Sequence, residues 1–416
     1  MSHITIHGTA PLRGEVSVQR AKNSVLPLLA AALLHEGSCR IESCPHLTDV
    51  EAAVEIMEHL GCRVRWEYDD LVVDAANICR SDIPPHLMSR FRSSVVFLGA
   101  ILARCGEATL SYPGGCELGP RPIDLHLAAL RTLGGEIEET GGILRCRGKL
   151  RGAEILLPFP SVGATENAML AATAAQGVST ISNAAREPEI VDLQHFLQKL
   201  GVSIHGAGTS TITIRGGATL HDCTHRPIPD RIVTATYLCA AAACGGEITL
   251  RDTDYRHLAP VTTALHQAGC CLQCSDDTIT LRSEGRLCSL PPVRTYPYPG
   301  FPTDAQPVLM AALLRSCGAT MFVENIFENR YRHAAELTRM GADIRLEGRV
   351  AMVCGVEKLC GAEVHATDLR GGAALIVAAL QAEGTTTIRH IHHILRGYED
   401  IAGDLRALGA DIILVT

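Results

Sequence analysis

Asn23-Ser24-Val25-Leu26-Pro27-Leu28-Leu29-Ala30-Ala31-Ala32-Leu33-Leu34 is apolar at nearly every position. A helix built from it has no face fit for water, so it must be buried on all sides. Gly37 ends the run and Cys39-Arg40-Ile41 reads as a strand. Thr48-x-x-Glu51 then predicts a capping box. Beyond it Val50, Val54, Met57 and Leu60 form one stripe, while Glu51, Glu55 and Glu58 face water. Gly61 closes this second helix and opens the alternating stretch Cys62-Arg63-Val64.

The same unit recurs. Closing glycines stand at Gly61, Gly134, Gly201, Gly269, Gly341 and Gly409, and middle glycines at Gly37, Gly106, Gly177, Gly246, Gly318 and Gly384. A self-similar period of this length means one supersecondary unit built six times. The other buried helices are expected at 93–103, 168–175, 232–243, 307–314 and 373–382. Six buried helices exceed one small core, so two groups of three are expected. The cut is placed so that residues 22–229 form one domain, and residues 1–21 with 230–416 form the other. His221 to Pro229 reads as the linker, and the strand Ile4–Ile6 as a completion of the last repeat's sheet.

Composition places limits on function. With 47% apolar residues the 416-residue chain can build large cores, and its net charge of -8 argues against a nucleic-acid surface. No apolar run approaches the roughly 18–20 residues of a membrane span, and no signal peptide is read at the start. Seventeen cysteines without an export signal predict reduced thiols in the cytosol. Cys271 and Cys274 form a lone Cys-x-x-Cys, read as strand residues because a closed zinc site needs four ligands.

The second repeat carries an insertion, Ser111-Tyr112-Pro113-Gly114-Gly115-Cys116-Glu117-Leu118-Gly119-Pro120-Arg121-Pro122, whose glycines and prolines forbid regular structure. A loop added to a regular array is a candidate for chemistry. The heads of the buried helices are informative too. Acidic residues there are ordinary caps, but Lys22, Arg92, Arg231 and Arg370 oppose the helix dipole, which predicts a bound anion. The alternative is an ion pair with an Asp or Glu of a neighbouring repeat. If the helices of each group point one way, their heads meet on one face, and two such faces would form a cleft for an anionic substrate.

Lys22-Asn23, the Pro113–Pro122 loop, Ser161-Val162-Gly163-Ala164-Thr165, Ala185-Arg186-Glu187-Pro188-Glu189, Pro299-Gly300-Phe301-Pro302-Thr303-Asp304 and Leu395-Arg396-Gly397-Tyr398-Glu399 occur in this order. Together they resemble the UDP-N-acetylglucosamine 1-carboxyvinyltransferases, a family of enolpyruvyl transferases, over residues 4–413. The resemblance implies an α/β fold: a two-domain inside-out α/β barrel of six βαβαββ repeats, three per domain. It implies transfer of enolpyruvate from phosphoenolpyruvate to the 3′-hydroxyl of UDP-N-acetylglucosamine, releasing phosphate, in peptidoglycan synthesis. Addition and elimination pass through a tetrahedral intermediate, with no metal and no cofactor.

The resemblance also implies roles. Lys22, Arg121 and Arg396 match the phosphoenolpyruvate contacts, with Arg92 nearby; arginine forks suit phosphate and carboxylate. Cys116 matches the proton donor, which can also form a covalent adduct. Asp304 matches the acceptor of the hydroxyl proton. Arg121, Pro122, Asp124, His126, Ser161, Val162 and Gly163 match nucleotide-side contacts, Asn23 and Asp304 the aminosugar, and Ile326 a further backbone contact. The helix-head argument adds Arg370 to the substrate-binding set. Cys116 predicts inactivation by an epoxide phosphonate such as fosfomycin. The chain departs from the family at Arg20, expected to face solvent, and at Phe159, where some relatives have lysine. A cytoplasmic monomer or weak oligomer is expected, with neither nucleic acid nor membrane as partner. The alternatives weighed are 5-enolpyruvylshikimate-3-phosphate synthase, which lacks the cysteine loop, and a non-catalytic or regulatory paralogue.

Overall fold

A computed structural model describes residues 2–8, 10–112 and 123–415. They divide into two compact units, one within residues 20–228 and the other formed by residues 2–19 with 229–415. No helix among the described residues is long and apolar enough to cross a membrane.

Within residues 20–228 three helices are buried: Lys22–Ala32, Phe97–Cys105 and Val162–Ala172. The second is entered through a 3-10 turn, Arg92–Val96. Three amphipathic helices, Thr48–Leu60, Asp124–Thr132 and Pro188–Leu200, pack their apolar sides on the same core. The other unit repeats the plan. Arg231–Cys244, Gln306–Ala312 and Leu369–Leu380 are buried, and Ala259–Gln267, Ala334–Arg339 and Ile401–Ala407 are partly exposed.

The glycine period has one cause. At Gly61 the amide N–H donates to the Glu58 carbonyl (3.0 Å), and that of Cys62 to Met57 (3.0 Å). This is a Schellman closure, and it needs a left-handed residue. Gly61 has φ 107° and Gly201 has φ 108°. The same pair of bonds recurs after the other five amphipathic helices, at Gly134, Gly201, Gly269, Gly341 and Gly409.

Six four-stranded sheets share one pattern. The strand after each buried helix is parallel to an edge strand and antiparallel to a second strand, which belongs to a hairpin in five sheets and is His3–His7 in the sixth. Ser38–Ile41 has Cys223–His225 as its parallel edge, and Asp70–Asp74 then Arg63–Glu67 on its other side. In the other unit Leu12–Ser17 is the parallel edge for Gly246–Arg251. His3–His7 lies between Thr385–Arg389 and Asp411–Val415, antiparallel to both. The strand expected at Ile4–Ile6 therefore completes the last sheet.

Three readings are corrected. The segment 221–229 is not a free linker, because residues 223–225 supply the edge strand that the first sheet otherwise lacks. The capping box at Thr48 is absent: Leu47 is the N-cap, Thr48 is already helical, and no side chain caps this end. Arg20 is buried, 8% exposed, directly before the Lys22–Ala32 helix, rather than facing solvent. The third buried helix also starts earlier than its apolar run at 168, at Val162, because Thr165 and Asn167 are satisfied inside the core.

His333 gives this fold an acid sensitivity. It is fully buried, and burial pushes its pKa from 6.5 down to about 4. The unfolded chain therefore takes up a proton below pH 6.5 that the folded chain refuses until about pH 4. Stability contributed by neutral His333 is present above 6.5 and lost as pH falls towards 4, by about 3 kcal/mol from the shift. Urea unfolding of the His333→Met variant at steps across this window is expected to show a shallower loss than the parent chain.

Candidate functional site

In residues 20–228 the site is built on helix heads. Lys22 is the first residue of its helix, after Ala21, which offers no side-chain cap. Its ammonium lies 3.1 Å from Asp49 Oδ2, in the first turn of Thr48–Leu60, and both groups are buried. This ion pair lies within the first repeat, not with a neighbouring repeat as the alternative had it; the inter-repeat pair is Arg370 with Asp304. The Lys22 pair leaves a three-donor ammonium held at a helix head rather than cancelling it. Pro27 has no N–H to give the Asn23 carbonyl, so that oxygen lacks its usual helical donor. Arg92 is half-buried and opens the 3-10 turn.

Ser161 caps the third helix, its hydroxyl accepting from the Ala164 N–H at 3.4 Å. Thr165 donates to the Ser161 carbonyl (2.8 Å) and accepts from the Ala185 N–H (3.0 Å), fixing the Ala185–Glu189 segment to this end. Asn167 is completely buried. Its Oδ1 accepts from Gly99 N–H at 2.7 Å, which fixes the amide's orientation. Its Nδ2 then donates to the Val95 carbonyl (3.0 Å) and to His126 Nδ1 (2.8 Å). With Nδ1 accepting, the neutral imidazole carries its proton on Nε2. A side chain at Gly163 would put its Cβ 2.8 Å from the His126 ring, so the ring and that glycine require one another. Asp124 opens its helix and is exposed, while Val162 is half-buried. Glu166 lies on the same helix. Burial, then Glu189 and Glu187, raise its pKa well above the carboxylate range.

In the other unit the acidic caps are as expected. Asp230 accepts from the Ile232 and Val233 amides (2.9 and 3.1 Å), and Asp368 from those of Arg370 and Gly371 (both 3.0 Å). Asp304 lies between two guanidinium groups. Arg330 donates to Oδ1 and Arg370 to Oδ2, each at 3.1 Å. Arg330 is 1% exposed and also grips the Thr303 carbonyl through Nε (3.1 Å) and Nη2 (2.7 Å). Burial disfavours the Arg370 charge, but Asp304, Tyr398 and Asp230 together outweigh it and the pKa is raised. Arg370 also bonds the Tyr398 hydroxyl, and its Nη1 is buried without a well-aligned acceptor among the described residues. Glu324 accepts from the Ile326 N–H (2.8 Å), so the backbone group Ile326 has left to offer is its carbonyl. Arg396 ends the 3-10 turn Ile391–Arg396 and is half-buried. Cys116, Arg121 and Pro122 lie outside the described residues.

Comparison with known proteins supplies the family. Residues 6–405 match the family described as EPSP synthase (3-phosphoshikimate 1-carboxyvinyltransferase). Over 416 residues, 100% of both chains, the protein is 50% identical to UDP-N-acetylglucosamine 1-carboxyvinyltransferase 2 of Caldanaerobacter subterraneus subsp. tengcongensis. The chain belongs to the enolpyruvyl transferases. A second relative in this family, UDP-N-acetylglucosamine 1-carboxyvinyltransferase 2 of Carboxydothermus hydrogenoformans, is 45% identical over 99% of both chains. The crystal structure of the enolpyruvyl transferase NikO from Streptomyces tendae matches with a TM-score of 0.90 at 27% identity, covering 100% of this chain and 99% of that one.

Sequence reasoning missed three residues that shape this enolpyruvyl transferase. Asn167 directly precedes the apolar run at 168, and a polar side chain ahead of an apolar helix was a usable signal. Arg330 sits in Glu328-Asn329-Arg330-Tyr331-Arg332, which reads as a solvated charge run. Glu324 follows an ordinary strand and gave no signal. Replacing Asn167 with Leu strands the buried Gly99 N–H and Val95 carbonyl, at about 1–3 kcal/mol for each. Denaturant titration is expected to show that loss, and Gly163→Ala is expected to lower the midpoint as well by displacing the His126 ring.

Proposed function

We propose that this chain transfers the enolpyruvyl group of phosphoenolpyruvate to the 3′-hydroxyl of UDP-N-acetylglucosamine and releases phosphate, the first committed step of peptidoglycan synthesis. The full-length relative at 50% identity carries this reading, with the six motifs in register beside it. Its architecture on this reading is the family's inside-out α/β barrel, three βαβαββ repeats in each unit. The domains are residues 22–229 and residues 1–21 with 230–416.

Phosphoenolpyruvate presents a phosphate and a carboxylate. Lys22, Arg121 and Arg396 bind it, with Arg92 and Arg370 as further cations. The Nη1 of Arg370, buried without a well-aligned acceptor among the described residues, supports an anion-facing role. Addition requires a proton at the methylene carbon and removal of one from the sugar hydroxyl. Cys116 delivers the first and Asp304 takes the second. The forks of Arg330 and Arg370 hold the Asp304 carboxylate in one orientation for that transfer. Elimination then returns the methylene proton and expels phosphate. Asn23, Asp124, His126, Ser161, Val162, Gly163 and the Ile326 carbonyl hold the sugar nucleotide, and Pro122 lies beside it. His126 contributes an Nε2–H donor, as its contact with Asn167 dictates. The scheme needs neither metal nor cofactor, and a cytoplasmic location fits it.

The matched family's description names 3-phosphoshikimate, so the acceptor must be tested directly. Phosphate release from phosphoenolpyruvate is expected with UDP-N-acetylglucosamine and absent with shikimate 3-phosphate. The reverse would assign the other reaction, and release with neither would favour a non-catalytic paralogue. Cys116→Ala is expected to abolish turnover, and intact mass to show a fosfomycin adduct on the parent chain but not on this variant. Asp304→Ala is expected to lower kcat by about 10²–10⁴ while changing the KM for phosphoenolpyruvate far less.

A further inference from the structure

Cys39 and Cys223 are register partners on adjacent parallel strands, Ser38–Ile41 and Cys223–His225. Neighbouring strands lie about 4.8 Å apart, inside the roughly 4.4–6.8 Å range of Cα separations that disulfides span. Both thiols are free, and as register partners they stand side by side on one face of the sheet. The register is held at both ends of the short strand. Asp222 Oδ1 contacts His35 Nε2 (2.7 Å) and accepts from Ser38 N–H (2.8 Å). His225 Nε2 contacts Asp192 (2.9 Å), which also accepts from Ile228 N–H (3.3 Å).

The two sulfurs are unlike in reactivity. Cys39 is completely buried, whereas Cys223 is half-exposed on an edge strand. Lys199, whose ammonium donates to the adjacent Thr224 carbonyl at 3.0 Å, adds positive charge near Cys223. A hydrogen bond with Cys39 first, and Lys199 in addition, favour the Cys223 thiolate over the burial and the Asp222 charge that oppose it. An accessible thiol with a lowered pKa beside a second thiol is the arrangement of reversible redox cysteines.

We propose that Cys39 and Cys223 form a hydroperoxide-sensitive pair, in which Cys223 is oxidised and Cys39 resolves it to a disulfide. In the first step the Cys223 thiolate attacks a peroxide oxygen. The O–O bond breaks, Cys223 becomes a sulfenic acid, and water or an alcohol leaves. In the second step the Cys39 sulfur attacks the sulfenic sulfur and expels water. Two thiols are oxidised, one hydroperoxide is reduced, and the bond joins the first strand after the Lys22–Ala32 helix to the last strand of residues 20–228. A dithiol reverses it.

The test uses the full chain treated with hydrogen peroxide, then alkylated and mapped without reduction. A Cys39–Cys223 linked peptide is expected, lost on treatment with dithiothreitol. Cys223→Ser, on a half-exposed edge, is expected to abolish the link and to leave Cys39 fully alkylatable after unfolding. Cys39→Ala is expected to drive Cys223 on to the sulfinic acid. A link from Cys223 to any other cysteine would overturn the proposal. So would both remaining thiols while exposed cysteines such as Cys79 and Cys271 are oxidised. Urea unfolding gives an independent reading: the oxidised parent is expected to unfold at higher urea than the reduced one, and the Cys223→Ser protein to show no difference.

Discussion

An apolar helix with no polar face tolerates no contact with water, and six such helices set the terms for the described residues. Each needs cover on every side. Strands supply part of it by sending alternate residues inward, and one-sided helices supply the rest. The burial leaves a second demand at the helix heads, where four N–H groups have no helical acceptor. Ser161, Asp230 and Asp368 meet it with their own side chains. At Lys22 no side chain of the preceding residue does so, and a cation stands there instead.

That substitution links the core to the chemistry. A cation at a buried helix head is unfavourable unless an anion joins it. In each unit a carboxylate from another segment is present: Asp49 beside Lys22, and Asp304 beside Arg370 and Arg330. These pairs hold side chains in fixed rotamers before any substrate arrives. Their burial means that the desolvation is already incurred and is offset by the pairing itself. Asn167 plays the comparable part for a neutral group, since its three contacts decide which nitrogen of His126 carries a proton.

The repeat was legible because Schellman closures impose glycine at a fixed place, whatever the neighbouring residues are. The buried helices were legible because composition alone distinguishes them. Their starts were not: Thr165 and Asn167 look like caps in the sequence, and only three-dimensional partners such as Ala185 and Gly99 make them interior residues. The capping box at Thr48 failed for the same local reason, a helix beginning one residue earlier than its pattern implies. Arg330 and Glu324 were invisible because their partners Thr303 and Asp304 are set by tertiary packing. Residues 221–229 read as a linker because polar and proline-rich composition reports a surface path. It says nothing of whether that path lies along an open sheet edge.

The course of the chain has a consequence for synthesis. Residues 20–228 contain every strand of their three sheets, so this unit can complete itself once Cys223–His225 has emerged. The strand His3–His7 is made first yet pairs only with 385–389 and 411–415. It has no sheet partner on the ribosome until residues 385–389 have been made, an alternating apolar segment without a sheet. The chain's first strand is thus among its last to be placed. A truncation at the far end would expose the beginning.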